Sequence, residues 1–433
     1  MLVADDAPDD TKRDLATALG TTLVEAPDGD VIARLVAESD MVCPAPGVPE
    51  THAVVGAALA AGRPLRTEID LGYEWEQLRP SGPRPMLAVT GTDGKTTTTF
   101  FAAHMLQAAG HRVAAVGNTE VPLVAALADD VDVFAVECSS FRLNWLDSFR
   151  AEASVWLNLA PDHQNWHTSM VSYEAAKARM WAHRRPDDVA IGFADDAVVM
   201  RNLGAAGGIT RTFAAANADY RIDGENLVGP EGVIAPIADM TRTLPHDLTN
   251  ALAAAALVLE SGLATAAHVR QALATFCHPP HRIEPLGSVG GVQWFNDSKA
   301  TSPHAALTAI RSFDRIVLLA GGLNKGLDLA SLATEHARVK AVVGLGKAAE
   351  EVVGPFRQYC PTRIAGSMAE AVALAAELAE PGDVVLLSPA CASFDWYPGG
   401  GYPARGDDFK QLVRALTESV QGAGVAGAKG GLA

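Results

Sequence analysis

Residues Pro85 to Thr99 read PMLAVTGTDGKTTTT, and this stretch decides how the rest of the chain is understood. Met86 to Thr90 form an apolar run suited to a buried strand. Thr96 onward, through Phe100, Phe101, Met105 and Leu106, has the spacing of an amphipathic helix closed by Gly110. Between them, Gly91 and Gly94 let backbone N–H groups turn toward an anion, and the helix start adds its positive dipole end. Lys95 supplies a charge for terminal phosphates, and Thr96 a hydroxyl for magnesium. The general phosphate-loop pattern needs a further glycine five residues before Gly94, where this chain has Val89. A glycine-rich turn alone does not explain strand, loop, lysine, hydroxyls and helix in that order, so a nucleoside triphosphate site is expected.

The chain around this stretch has 433 residues, enough for three domains of about 150 residues each. Its 48% hydrophobic and 20% charged residues are those of an ordinary globular protein. A net charge of −17 argues against nucleic acid or an anionic membrane as partner, because phosphates would be repelled. The five cysteines, Cys43, Cys138, Cys277, Cys360 and Cys391, are scattered and form no CxxC pair, as expected of reduced thiols in the cytoplasm. No basic region followed by a long apolar run opens the chain, and no stretch has the length of a membrane span. A cytoplasmic enzyme is expected.

Upstream, residues 1–82 read as a shortened Rossmann-like domain with strands at Leu2 to Ala4 and Met41 to Cys43. The sequence opens at what should be the second strand, so the usual first strand and glycine turn are expected either to lie upstream of the given start or to be absent. Ser81 to Pro85 form a stiff connector. Residues 83–278 form the central domain, with strands at His111 to Val116, Val131 to Val136 and Ala153 to Leu159 alternating with alanine-rich helices. That alternation predicts a mainly parallel sheet with ligands at the carboxyl ends of its strands.

Three polar features lie there. Glu137, opening ECSSF, could reach a magnesium ion or simply face solvent. His163, in Pro161-Asp162-His163, could ligate a second metal or simply bond Asp162. Lys177 lies in a helix predicted from Ser172 to His183, and an exposed lysine is the ordinary reading. Residues 187–243 read as strands and connections on the domain rim. Asn250 is placed to cap a helix from Ala251 to Glu260, or to hold nucleotide.

Residues 279–421 form a third α/β domain, with strands at Val292 to Phe295, Ile316 to Ala320, Ala341 to Leu345 and Val384 to Leu387. Three of them end in polar segments, NDSKAT (296–301), GGLNK (321–325) and SPACASFD (388–395), which points to a second ligand facing the nucleotide. Residues 422–433 are expected to be a flexible tail.

Together GTDGKTT (91–97), GN (117–118), ECSSFRL (137–143), LNLAPDH (157–163), AAKARM (175–180), HRIE (281–284), NDSKAT and LLSPACASFD (386–395) resemble the Mur ligase superfamily over nearly the whole chain. They look most like its D-glutamate-adding members. The resemblance implies an ATP-dependent amide ligase of three α/β domains: a shortened N-terminal Rossmann-like domain, a central P-loop ATPase-type domain and a C-terminal Rossmann-like domain. They would bind UDP-N-acetylmuramoyl-L-alanine, ATP with magnesium, and D-glutamate respectively.

By motif, Gly91, Thr92, Asp93, Gly94, Lys95, Thr96 and Thr97 would cradle ATP, joined by Asn250, Arg282 and Asp297. Thr96 and Glu137 would hold one magnesium ion, and His163 with Lys177 as a carbamate a second. Asn118 would contact the muramoyl substrate, and Lys299, Thr301, Lys325, Ser393 and Tyr402 would hold D-glutamate. Asp247 stands where an asparagine contacting adenine is common. The reaction implied is carboxylate activation to an acyl phosphate, then attack by the amine, in peptidoglycan precursor synthesis. A monomer without nucleic-acid or membrane partners is expected. The competing readings are a sibling ligase for L-alanine or a diamino acid, and a non-catalytic homologue crippled by the missing glycine loop.

Overall fold

The computed structural model describes residues 1–429 apart from Glu120 and Asn165, and side chains as far as Ser419. The N-terminal unit pairs β1 (Leu2–Asp5) with β2 (Thr22–Glu25) in parallel, beside helices Asp10–Ala18, Gly29–Ala37 and Ala53–Ala60. The strand expected at Met41 to Cys43 is reduced to one bridge, Val42 to Leu65. Pro44 and Pro46 follow at once and offer no amide to a ladder.

The next helix, Glu68–Gln77, lies before the proline connector yet belongs to the central core. Ile69 and Tyr73 pack with Met86, Phe134 and Phe149. Buried Asp70 accepts from the amides of Asp147, Ser148 and Phe149, each at 3.0 Å. Glu76 and Arg84, both buried, form a bidentate pair at 2.9 and 2.7 Å across the connector. The packed core of the central unit therefore begins at this helix and not at the connector.

The central sheet consists of β3 (Met86–Thr90), β4 (Val113–Gly117), β5 (Val133–Glu137), β6 (Ala153–Trp156), β7 (Val189–Phe193) and β8 (Ile209–Phe213). Their order is β4-β5-β3-β6-β7-β8, and every pairing is parallel. All five residues of β3 are buried, as the uninterrupted apolar run requires of a strand covered on both faces. The region expected on the rim thus supplies two strands of this sheet. Helix Ala197–Ala205 joins those two strands, and beyond them lies a three-stranded antiparallel sheet, β9 (Arg221–Asp223), β10 (Asn226–Gly229) and β11 (Gly232–Pro236).

Helix Pro245–Glu260 starts with proline at its first turn, where a missing amide costs nothing. Asn250 consequently lies inside the helix, and its reading as a cap fails. Helix Met170–Ala178 starts and ends earlier than expected and passes into the 3-10 turn Arg179–Trp181.

The C-terminal sheet comprises β12 (Glu284–Val289), β13 (Val292–Asn296), β14 (Ile316–Gly321), β15 (Val339–Leu345), β16 (Thr362–Ala365) and β17 (Val384–Leu387). Its order is β12-β13-β17-β14-β15-β16, with β12 antiparallel and the rest parallel. β12 and β16 were not anticipated: both are half-exposed edge strands with few apolar residues. The last helix runs Gly401–Lys429, so its backbone is helical where a flexible tail was expected to begin; residues 430–433 of that tail lie outside the described residues. Among the described residues no helix is long and apolar enough to cross a membrane.

Candidate active site

A cleft of about 680 Å³ opens between the central and C-terminal sheets. It is lined by Thr92 to Thr97, Asn118, Glu137, His163 and Asn250 on one side, and by Arg282, Asp297, Lys299 and Thr301 on the other. Gly91 and Lys177 lie beneath this surface. Lys325, Ser393 and Tyr402 stand outside its lining.

The loop after β3 needs its glycines. Gly94 has φ +84°, and a Cβ there would sit 2.6 Å from Asn250 Oδ1. Its shape is held by Asn158, at the end of β6, which sequence reasoning passed over within the LNLAPDH motif. Asn158 Oδ1 accepts from the amides of Thr92 and Asp93, both at 2.9 Å, and its Nδ2 donates to the Asp93 carbonyl at 3.2 Å. The Thr92 hydroxyl meets the Tyr173 hydroxyl at 3.0 Å.

Two amines converge on this loop. Lys95 Nζ donates to the carbonyls of Gly91 at 2.8 Å and Thr92 at 2.6 Å, and Lys177 Nζ donates to the same Gly91 carbonyl at 2.7 Å. Lys177 is only 1% exposed, which overturns its ordinary reading as a surface residue. Burial first, and then the charge of Lys95, hold its pKa well below that of a free lysine. That setting disfavours the protonated amine.

Glu137 ends β5 fully buried. Its Oε1 accepts from Asn118 Nδ2 at 3.0 Å, while Oε2 is buried with no hydrogen-bond partner among the described residues. A buried carboxylate oxygen left unpaired costs energy, and a cation in the cleft would satisfy it. His163 adopts a left-handed backbone, φ +55°, and packs on Phe141 with ring centres 4.5 Å apart. Its Nε2 lies 3.3 Å from Asp162 Oδ2, but burial pushes its pKa down to about 4, so it is a neutral imidazole able to ligate metal. Among the described residues no three His, Cys, Asp or Glu side chains enclose a metal by themselves. A magnesium ion on Thr96 and Glu137 would draw its other ligands from phosphate oxygens and water, which is its preference.

On the opposite wall, buried Asp297 accepts from the Ser388 hydroxyl at 2.7 Å and the Ile283 amide at 3.2 Å. Burial nevertheless raises its pKa to about 7. Arg282 Nε is buried with no hydrogen-bond partner among the described residues. Lys299 Nζ lies 5.0 Å from the centre of the Tyr402 ring, and the buried Ser393 carbonyl accepts from the Tyr397 amide at 2.8 Å. Lys325 is exposed, and its charge is among those that depress His163. Arg405, also absent from the sequence reading, is buried and donates to Ser298 Oγ at 3.0 Å, the Ser298 carbonyl at 2.8 Å and the Cys391 carbonyl at 3.1 Å. It ties together two of the motif-bearing strand ends.

Across the cleft His304 Nδ1 pairs with Asp93 of the phosphate loop. The hydrogen bond to Asp93 raises the pKa of His304; burial works to raise that of Asp93, but the bond and charge of His304 with the charges of Lys95 and Arg282 together lower it. The pair stabilises below the unfolded pKa of histidine, and that contribution is lost as pH rises through the raised value in the folded protein. At the acid end it is lost as Asp93 protonates through its lowered value. His304→Ala should therefore flatten the dependence of melting temperature on pH around neutrality. An unchanged slope would leave the pair without energetic weight.

The Mur ligase middle domain matches residues 89–258, and the Mur ligase glutamate ligase domain matches residues 281–391. A UDP-N-acetylmuramoylalanine--D-glutamate ligase of Frankia casuarinae is 40% identical over 392 residues, covering 87% of this chain and 81% of the relative. One from Streptomyces coelicolor is 36% identical over 452 residues, covering 96% and 92%. Among solved structures, the MurF ligase of Thermotoga maritima in complex with ADP shares the fold with a TM-score of 0.63 at 15% identity, covering 89% of this chain and 97% of its own.

Proposed function

The chain belongs to the Mur ligase family, and on that premise we propose that it couples ATP cleavage to an amide bond between UDP-N-acetylmuramoyl-L-alanine and D-glutamate. The observation that carries the chemistry is the unpaired Glu137 Oε2, buried in the same cleft as Lys95, Thr96 and His163. The choice of D-glutamate is supported by the relatives that bear this activity in their names.

In this reading the alanyl carboxylate attacks the γ-phosphorus and ADP departs, leaving an acyl phosphate. The free amine of D-glutamate then adds to the acyl carbon, its nitrogen gives up a proton to water, and phosphate leaves with the bonding electron pair. Both reactants are anions, so the task of the chain is to offset their repulsion and hold them in line. Lys95 and the amides at the start of helix Lys95–Ala108 provide positive charge. Thr96 and Glu137 would hold one magnesium ion, and His163 with a carbamylated Lys177 a second; bound magnesium draws charge from the phosphate oxygens. Arg282, Asn250 and Asp297 would meet the nucleotide, Asn118 the muramoyl substrate, and Lys299, Thr301, Lys325, Ser393 and Tyr402 the amino acid. A nucleotide-linked substrate and ATP support a cytoplasmic location for the reaction.

Phosphate release measured with each amino acid in turn tests this. Release should require both UDP-N-acetylmuramoyl-L-alanine and D-glutamate; stimulation by L-alanine or a diamino acid instead would overturn the specificity. Calorimetric binding of the UDP substrate separates an active enzyme from a crippled homologue. Glu137→Gln should lower kcat by about 10²-fold and raise the magnesium concentration needed for half-maximal rate. A full rate at unchanged magnesium demand would remove Glu137 from the metal site.

A further inference from the structure

Arg242 lies outside every motif quoted above, yet its guanidinium bonds in two directions. Nε and Nη2 donate to the Asp247 carboxylate at 2.6 and 2.7 Å, while Nη1 donates to the backbone carbonyls of Arg282 at 3.0 Å and Ile283 at 2.7 Å. Asp247 is fully buried in the first turn of the helix that supplies Asn250 to the cleft. His246 Nε2 and His278 Nδ1 lie 3.3 and 3.6 Å from Asp247 Oδ1, but burial pushes both down to about 4, so they are neutral near pH 7. Among the described residues the cation that balances Asp247 is Arg242.

The two gripped carbonyls belong to the short linker that leads into β12, the edge strand of the C-terminal sheet. His281 and Ile283 there have φ of +61° and +46°, a region that a β-branched residue avoids unless its surroundings impose it. Ile283 is held from both sides, its carbonyl by Arg242 and its amide by Asp297 Oδ1 at 3.2 Å. Between the left-handed residues stands Arg282, which lines the cleft with an unpartnered buried Nε and acts on Asp93 of the phosphate loop through its charge.

We infer that Arg242 is a positioning residue for the nucleotide: by holding the carbonyls of Arg282 and Ile283 it fixes the linker so that the Arg282 guanidinium meets the triphosphate. This rests on the ATP site proposed above. A lysine could balance Asp247 but could not bond the carboxylate and both carbonyls in the directions the planar fork supplies.

The test is calorimetric titration of a non-hydrolysable ATP analogue with magnesium into wild type, Arg242→Lys, Arg282→Ala and the double variant. Steady-state KM values for ATP and D-glutamate are measured alongside. Arg242→Lys should weaken analogue binding by about tenfold and raise the KM for ATP, leaving the KM for D-glutamate unchanged. On the Arg282→Ala background it should cost almost nothing more, because the group it positions has gone. The pair Arg242→Gln with Asp247→Asn, which buries no lone charge, serves if Arg242→Lys fails to fold, and should weaken binding similarly. Additive losses, or wild-type affinity in the Arg242 variants, would overturn the inference alone. A wild-type protein that takes up no analogue overturns the ATP reading and the inference with it.

Discussion

Lys95→Ala should lower ATP-dependent amide formation by about 10²–10³-fold, the cost of removing one preorganised charge from a site where charge accumulates. Among the described residues Lys95 Nζ makes no close ion pair; its hydrogen bonds go to the carbonyls of Gly91 and Thr92, both on the loop it belongs to. Those carbonyls keep the amine folded over the cleft, beside the first amides of its own helix. An incoming triphosphate would therefore meet the ammonium and the helix dipole together.

The substitution should spare the fold. Lys95 is only partly buried, alanine is the best helix former, and the loop shape is fixed by Asn158 and the two glycines. Turnover and melting temperature should thus separate, the first collapsing while the second stays near wild type. If the variant makes product at the wild-type rate, the triphosphate does not lie where the loop places it.

The phosphate loop could be read in advance because its determinants are local. An apolar run, two glycines, a lysine and a hydroxyl within a dozen residues specify strand, turn and helix with no help from the rest of the chain. That Glu137 and His163 would reach one cleft was legible for a related reason: parallel strands deliver the residues that follow them to one edge of the sheet. What the sequence hid is long-range. Asn158 acts on amides 65 and 66 residues away, and nothing around it distinguishes it from an ordinary loop asparagine. Arg242 reaches carbonyls 40 and 41 residues on, and backbone acceptors carry no side-chain signature at all. Helix Glu68–Gln77 was assigned by the composition of the connector behind it, whereas its place was decided by Ile69, Tyr73 and Asp70 packing across that connector.

Lys177 carries the second large effect. Lys177→Met, close in length and without charge, should lower turnover by about 10²-fold or more while the fold persists or gains stability. The native lysine is buried beside the Lys95 ammonium and above the Tyr173 ring, with its Nζ 4.7 Å from the ring centre. A protonated amine is disfavoured in that setting, and a neutral one can add to carbon dioxide and release a proton to water, leaving an anion where the amine stood. Labelled bicarbonate should then give a carbamate carbon signal in wild type that is absent from Lys177→Met.

Stability supplies an independent check, with a definite sign. A lysine whose folded pKa is depressed binds fewer protons folded than unfolded, so its penalty is absent above the ordinary value of 10.5 and grows as pH falls toward the depressed value. The melting temperature of wild type should therefore drop below that of Lys177→Met progressively on acidification, in protein freed of carbon dioxide. Adding bicarbonate should narrow the gap, because the carbamate removes the proton-binding group. Parallel pH profiles for the two proteins would mean that Lys177 keeps its charge in the fold, and the modification would lose its physical basis.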